Sequence, residues 1–135
     1  MVLGQSRVGA AIAVTDMARS RAFYEGALGL TPATDHEPPD NVRYVCGEGT
    51  VVHVFTTPHA GTATSTVAGW EVDDIGRAVA ELAGRGVVFE RYDLPGLRTD
   101  EDGIASFPGP NYVAYFKDPD GNVLSIAQPA GTAPA

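Results

Sequence analysis

A single cysteine, Cys46, stands among the 135 residues, which excludes an intrachain disulfide and any CxxC metal or redox pair. Packing must therefore hold the fold, and a reducing, cytoplasmic setting suits such a chain. Positive charge is scarce too: nine Lys and Arg against 17 Asp and Glu leave a formal charge of -8. That balance repels phosphate backbones and argues against nucleic-acid binding; it serves solubility, or draws a cationic ligand towards an acidic cleft. Long apolar runs are also missing. Nothing is long enough to span a membrane, and the opening "MVLGQSRVGAAIAV" lacks the form of a signal peptide, so it is expected to carry the first strand.

What is present suits one globular domain over residues 1–135, with 44% hydrophobic and 19% charged residues. Residues 8–14, "VGAAIAV", read as a strand. Asp16 stands where a helix N-cap belongs, and Met17, Phe23, Tyr24, Ala27 and Leu28 fall near one helical face, with Gly29 as a stop. Strands are expected at about 31–37, 41–46 and 51–56, between Pro-Pro-Asp-Asn and Gly-Glu-Gly turn signals.

The same order then returns. A strand over 66–72 leads to Asp74 as N-cap of a helix ending near Gly84. A shift of 58 places Val14 on Val72, Asp16 on Asp74, Arg19 on Arg77, Ala22 on Ala80 and Gly26 on Gly84. A shift of 72 places Gly49 on Gly121, Val51 on Val123 and Val54 on Ile126. The chain thus reads as two βαβββ modules, about 8–56 and 65–128. The 14 extra residues of the second are assigned to a Gly/Pro-rich loop, Leu94 to Pro110, of a length that points to function. Residues 129–135 are expected to be a mobile tail.

Two βαβββ modules, with "VTDMARSRAFYEGALGL" in the first and "FKDPDGNVLSIAQ" closing the second, resemble the vicinal oxygen chelate superfamily of glyoxalases, bleomycin-resistance proteins and extradiol dioxygenases. The resemblance covers residues 8–128. It rests on Val14, Asp16, Ser20, Phe23, Tyr24, Leu28, Gly29 and Leu30, and on Asp118, Pro119, Asp120 and Gly121. It implies an α+β fold in which curved mixed sheets surround a cleft, with helices on the outer face. In metal-using members, His and Glu side chains from four positions converge on a divalent metal that polarises vicinal oxygens of the substrate. Those positions fall here on Gly9, His53, Val67 and Ser125. Only His53 is a competent ligand, whereas catalytic zinc sites usually keep three from the protein, so neither metal nor other cofactor is expected.

Strand alternation places Gly9, Ala11 and Ala13; Val51, His53 and Phe55; Val67, Gly69 and Glu71; and Val123, Ser125 and Ala127 towards the expected cleft. The bulkier alternates, such as Ile12, Val54, Trp70 and Ile126, suit packing beneath the helices. His53 suits acid-base work or ligand binding, against the plain alternative of a structural histidine. Glu71 can pair with His53 or a ligand, or be a solvated strand end. Ser125 can give a ligand one hydrogen bond, or be filler, and without a base it is no nucleophile. Tyr44, Tyr112, Tyr115 and Phe116 can stack on a flat ligand or fill the core, and their faces stay open at this level. Arg43 and Arg98 can clamp a carboxylate or be surface charge. Cys46 reads as a small core residue, Asp100 to Gly103 as an acidic turn, and His36 and His59 as solvated loop residues.

These residues lead to a metal-independent protein of the bleomycin-resistance kind that binds a small organic molecule in the inter-module cleft, and the resemblance implies a homodimer. The ligand set is then His53, Phe55, Glu71, Ser125, Tyr44, Arg43, Tyr112 and Arg98. The alternative is a metal-independent isomerase, lyase or cyclase with His53 and Glu71 catalytic. A metal-dependent lyase or dioxygenase with ligands recruited elsewhere ranks third.

Overall fold

The computed structural model describes residues 3–33 and 39–131. The chain divides into two compact units, Met1–Thr62 and Ala63–Ala135.

In the first unit, β1 (Gly9–Val14) leads to α1 (Met17–Arg21), which continues as a π-helical turn, Ala22–Ala27. Strands β2 (Asn41–Val45) and β3 (Val51–Thr56) follow, giving the sheet order β1-β3-β2. β1 runs parallel to β3 and β2 antiparallel to it, so the sheet is mixed. Asp16 caps α1, its Oδ1 accepting from the Arg19 N–H at 3.0 Å. The expected helix to Gly29 is present in extent but not in kind. Its second half widens to π geometry, with Leu28 N–H donating to Phe23 C=O, before Gly29 turns the chain at φ 74°. The buried stripe is correspondingly Ser20 and Tyr24, with Phe23 and Ala27 only half covered. Of the strand expected at 31–37, Pro32 makes an isolated bridge to Tyr44; residues 34–37, and with them His36, lie outside the described residues.

In the second unit, β4 (Thr66–Glu71) precedes α2 (Ile75–Gly84). Asp74 repeats the cap, Oδ1 accepting from Arg77 N–H at 3.1 Å. The two caps share a backbone conformation, φ/ψ of -137°/108° at Asp16 and -141°/99° at Asp74. Five strands then follow: β5 (Asp93–Leu94), β6 (Leu97–Arg98), β7 (Ile104–Phe107), β8 (Asn111–Lys117) and β9 (Val123–Gln128). The sheet order is β4-β9-β8-β7, with β4 parallel to β9 and the other pairs antiparallel. The expected loop from Leu94 to Pro110 is therefore corrected. Leu94-Pro95-Gly96-Leu97 turns a short β5–β6 hairpin, with Pro in the second place and Gly96 at φ 79° in the third, and β7 joins the sheet.

The buried faces follow the alternation of the sequence. Ile12, Val14, Val42, Tyr44, Val52 and Val54 fill the core of the first unit with Tyr24, and Ala114, Phe116, Leu124 and Ile126 that of the second with Ile75 and Val79 from α2. The turn before β9 is built by Asp118. Its Oδ1 accepts from the N–H groups of Asp120 and Asn122, each at 2.9 Å, and its Oδ2 accepts from Asn122 Nδ2 at 2.8 Å. That network is how "KDPDGN" reverses the chain without an exposed polar gap.

Candidate functional site

The first unit's sheet buries one face and leaves the other more open, whereas β9 in the second is buried on both faces from Val123 to Ile126, and strand register fixes which side chains share a face. In the first unit, Ala11 stands opposite His53 on β3, and Arg43 opposite His53 from β2. The next row is Ala13, Phe55 and Asn41; the row on the other side is Gly9, Val51 and Val45. Small residues on β1 thus leave room over one edge, while β3 and β2 supply an imidazole, an aromatic ring, an amide and a guanidinium.

The polar groups are already partly organised. His53 Nε2 is hydrogen-bonded to Asn41 Oδ1, and the His53 and Phe55 rings lie 5.9 Å apart at 45°. Sequence reasoning misses Asn41. A signal for it exists, since it lies two residues before Arg43 and so shares its face, but only the pairing of β2 with β3 brings it to His53.

The second unit repeats the arrangement with other chemistry. The shifts that superpose the modules carry Ala11, His53 and Arg43 onto Gly69, Ser125 and Tyr115. These three are indeed register partners across β4, β9 and β8. Ser125 is 9% exposed and lies against Gly69, where an added Cβ would meet Ser125 Oγ at 2.5 Å. In the next row Glu71, exposed at the end of β4, pairs with Ala127, and Ala127 with Val113. A bulge between Thr66 and Ala68 takes Val67 out of the ladder, so the expected alternation on β4 holds only from Ala68 onwards.

The aromatic candidates now separate. Tyr44 is fully buried on the helix side, stacked 6.2 Å from Tyr24, with its hydroxyl donating to Glu25 Oε2 at 2.9 Å. It is a core residue rather than a ligand contact. Burial chiefly, then the hydrogen bond to Glu25 and that carboxylate's charge, push its phenol well above the usual range. Tyr112 pairs with Gln128 and alternates with Ala114 and Phe116, which places it on the helix side as well. Gln128 Oε1 there accepts from the Ile75 N–H at 2.9 Å. Tyr115 is instead the aromatic beside Ser125. Burial and the neighbouring Tyr92, at 5.7 Å and 80°, raise its phenol pKa.

Arg98 lies outside the four-stranded sheet, on the β5–β6 hairpin, and pairs with Asp93 at 3.2 Å where both side chains are largely exposed. The hairpin borders an open depression of about 510 Å³ lined by Arg91, Tyr92, Asp93, Arg98, Thr99, Asp100 and Glu101. Cys46 is half-buried and free at the end of β2, and His59 is exposed.

A metal of the kind the resemblance implies does not fit these residues. Gly9 and Val67 offer no donor, and Ser125 only a hydroxyl. Among the described residues no group of three His, Cys, Asp or Glu side chains could hold an ion. Likewise, no described helix is long and apolar enough to cross a membrane.

A profile of the glyoxalase/bleomycin resistance protein/dioxygenase superfamily matches residues 7–126. Among solved structures, a glyoxalase/bleomycin resistance protein from Catenulispora acidiphila is 21% identical, with a TM-score of 0.67 over 90% of this chain and 96% of its own. An antibiotic binding protein from Streptomyces sp. CB03234 is also 21% identical, at 0.62 over 93% and 98%. A lactoylglutathione lyase from Agrobacterium tumefaciens is 19% identical, at 0.64 over 92% and 93%. No match was found among curated proteins. At these identities the structural likeness establishes the fold, and chemistry must be argued from side chains.

Proposed function

Because the chain belongs to the glyoxalase/bleomycin resistance protein/dioxygenase superfamily, we propose that it binds a small organic molecule on the open sheet faces, without a metal. The observation that carries this reading is the first unit's open face. Gly9, Ala11 and Ala13 leave space there beside His53, Phe55 and Arg43, a mostly apolar floor with a few polar handles, as small-molecule sites are built. Ser125, Glu71 and Tyr115 give the second unit a smaller polar set of the same kind. That a protein of this fold is described as antibiotic binding accords with the reading.

A thermal-shift screen of metabolites and drugs tests it. A ligand at a hundredfold excess over its dissociation constant stabilises by about 2.7 kcal/mol, and His53→Ala should abolish the shift. A screen without a hit, or hits indifferent to His53 and Arg43, refutes the reading.

A second reading, acid-base catalysis without metal by His53, with Glu71 as partner, is favoured by one observation. The Nε2 contact to Asn41 orients the ring and leaves Nδ1 for proton transfer. Turnover that survives His53→Ala would exclude it. We extend the proposal to a cytoplasmic homodimer, for which two-fold association is the common default; sedimentation at micromolar concentration decides the oligomeric state.

A further inference from the structure

We infer that Asn41 is a positioning residue for His53, and that the neighbouring row of His53 and Arg43 reads hydroxy acids: Arg43 takes the carboxylate and His53 Nδ1 accepts the neighbouring hydroxyl proton. This rests on the open face of the first sheet being the ligand site.

The tautomer comes first. Asn41 Oδ1 can only accept, so we assign the proton to the nitrogen facing it, His53 Nε2. In the neutral ring Nδ1 is then an acceptor. Among the described residues Nδ1 has no hydrogen-bond partner. A group that meets it must therefore donate, as a hydroxyl does and an ether or carbonyl does not.

Charge comes second. In this acidic chain four of the nine cations are spent on carboxylates: Arg21 on Glu25, Arg85 on Glu81, Arg98 on Asp93 and Lys117 on Glu90. Arg43 forms no such pair among the described residues, although it is exposed. It stands directly opposite His53 in the β2–β3 ladder, so the Cβ atoms of the two are about 5 Å apart. Two side chains so placed can reach neighbouring groups of one small ligand. A free guanidinium suits a carboxylate bidentately, and its charge confers a preference for an anion that the net charge of the chain opposes elsewhere. Phe55, in the next row, offers its ring to an apolar or aryl substituent.

The test has two arms. In the ligand-free protein, long-range proton–nitrogen correlation of the histidine rings reports the tautomer, with His53 identified by its loss in His53→Gln. In the neutral ring, Nε2 should be the protonated, pyrrole-type nitrogen and Nδ1 the pyridine-type. Asn41→Ala should mix the two forms, and Asn41→Asp, which keeps the acceptor, should retain the original one. An Nδ1–H ring in the wild type, or a tautomer unmoved by Asn41→Ala, overturns the positioning role.

The second arm uses mandelate and related α-hydroxy acids, each with its O-methyl ether and its methyl ester, measured by calorimetry. The free hydroxy acid should bind about tenfold or more tighter than either derivative, the scale of one hydrogen bond to a charged or buried partner. Asn41→Ala should erode the preference over the ether and leave that over the ester, while Arg43→Gln should do the reverse. Equal affinity for acid and ether, or no binding across the panel, overturns the hydroxy-acid assignment. If another ligand from the broad screen is still lost in His53→Ala, only the assignment falls; if the screen is also blank, the ligand-site reading falls with it.

Discussion

Replacing Gly69 by Ala tests the close packing between β4 and β9 at the row that matches His53. A Cβ at Gly69 would come 2.5 Å from Ser125 Oγ, 3.3 Å from Ser125 O and 3.8 Å from Ser125 Cβ. The first separation is prohibitive, the second tight and the third ordinary. The hydroxyl must therefore rotate away within a site that leaves Ser125 9% exposed. Overpacking of this sort costs about 1–3 kcal/mol. Against it, Gly to Ala removes unfolded-state freedom and contributes about 0.4–1 kcal/mol of stability. Gly69→Ala should then destabilise by about 0.5–2 kcal/mol. In a Ser125→Ala background the obstructing oxygen is gone, and the same change should be neutral or slightly stabilising. Urea denaturation of the wild type, both single variants and the double variant closes the cycle, with an unchanged slope required for a clean comparison. If Gly69→Ala costs as much in the Ser125→Ala background as in the wild type, the hydroxyl is not the obstacle and the proposed contact is wrong.

Four further outcomes are expected. Asp118→Ala removes an acceptor of three hydrogen bonds in the turn before β9 and should cost about 2–4 kcal/mol, read by the same denaturation. Tyr44→Phe should cost about 1 kcal/mol at neutral pH by leaving Glu25 without its phenol donor. Alkaline stability supplies a sign: the folded state holds the Tyr44 proton more tightly than the unfolded chain, whose tyrosines ionise near pH ~10. Stability should fall as pH rises above that value, less steeply in Tyr44→Phe, and an identical slope in the variant would discount the role of burial. Leu124→Ala, at a fully buried position of β9, should lower stability by about 2–5 kcal/mol, and a loss under about 1 kcal/mol would mean that this core is loosely packed.

How much of this was legible in the sequence differs from element to element. The helix caps were, because an Asp before an amphipathic run has one local solution, and Asp16 and Asp74 adopt it alike. The internal repeat also foretold the sheets, since residues related by it, such as His53 and Ser125, occupy matching ladder positions. The π turn after Arg21 was not, because a π and an α turn bury nearly the same spacing of side chains. Nor was the hairpin inside "LPGLR": its Pro-Gly turn is visible, but arms of two residues are too short for alternation to register. In "NYVAYF" both faces are apolar, so pattern could not tell Tyr112 from Tyr115, and only pairing with β9 did. Within the candidate site, His53, Arg43 and Phe55 were legible from parity on their strands, whereas the bond from His53 to Asn41 depends on which strands become neighbours.

The place of β9 in its sheet bears on how the chain comes to be folded at all. It lies between β4 and β8, paired parallel with one and antiparallel with the other. Until residues 123–128 have left the ribosome, β4 has no strand to pair with and β8 has only β7. The first unit, whose central strand ends at Thr56, can close its sheet before any strand of the second is made. The second must wait for β9, holding open two edges that invite other strands meanwhile. Shortening the chain into β9 should therefore remove the middle of that sheet rather than trim its margin, and release aggregation-prone strands from a first unit that still pairs its own.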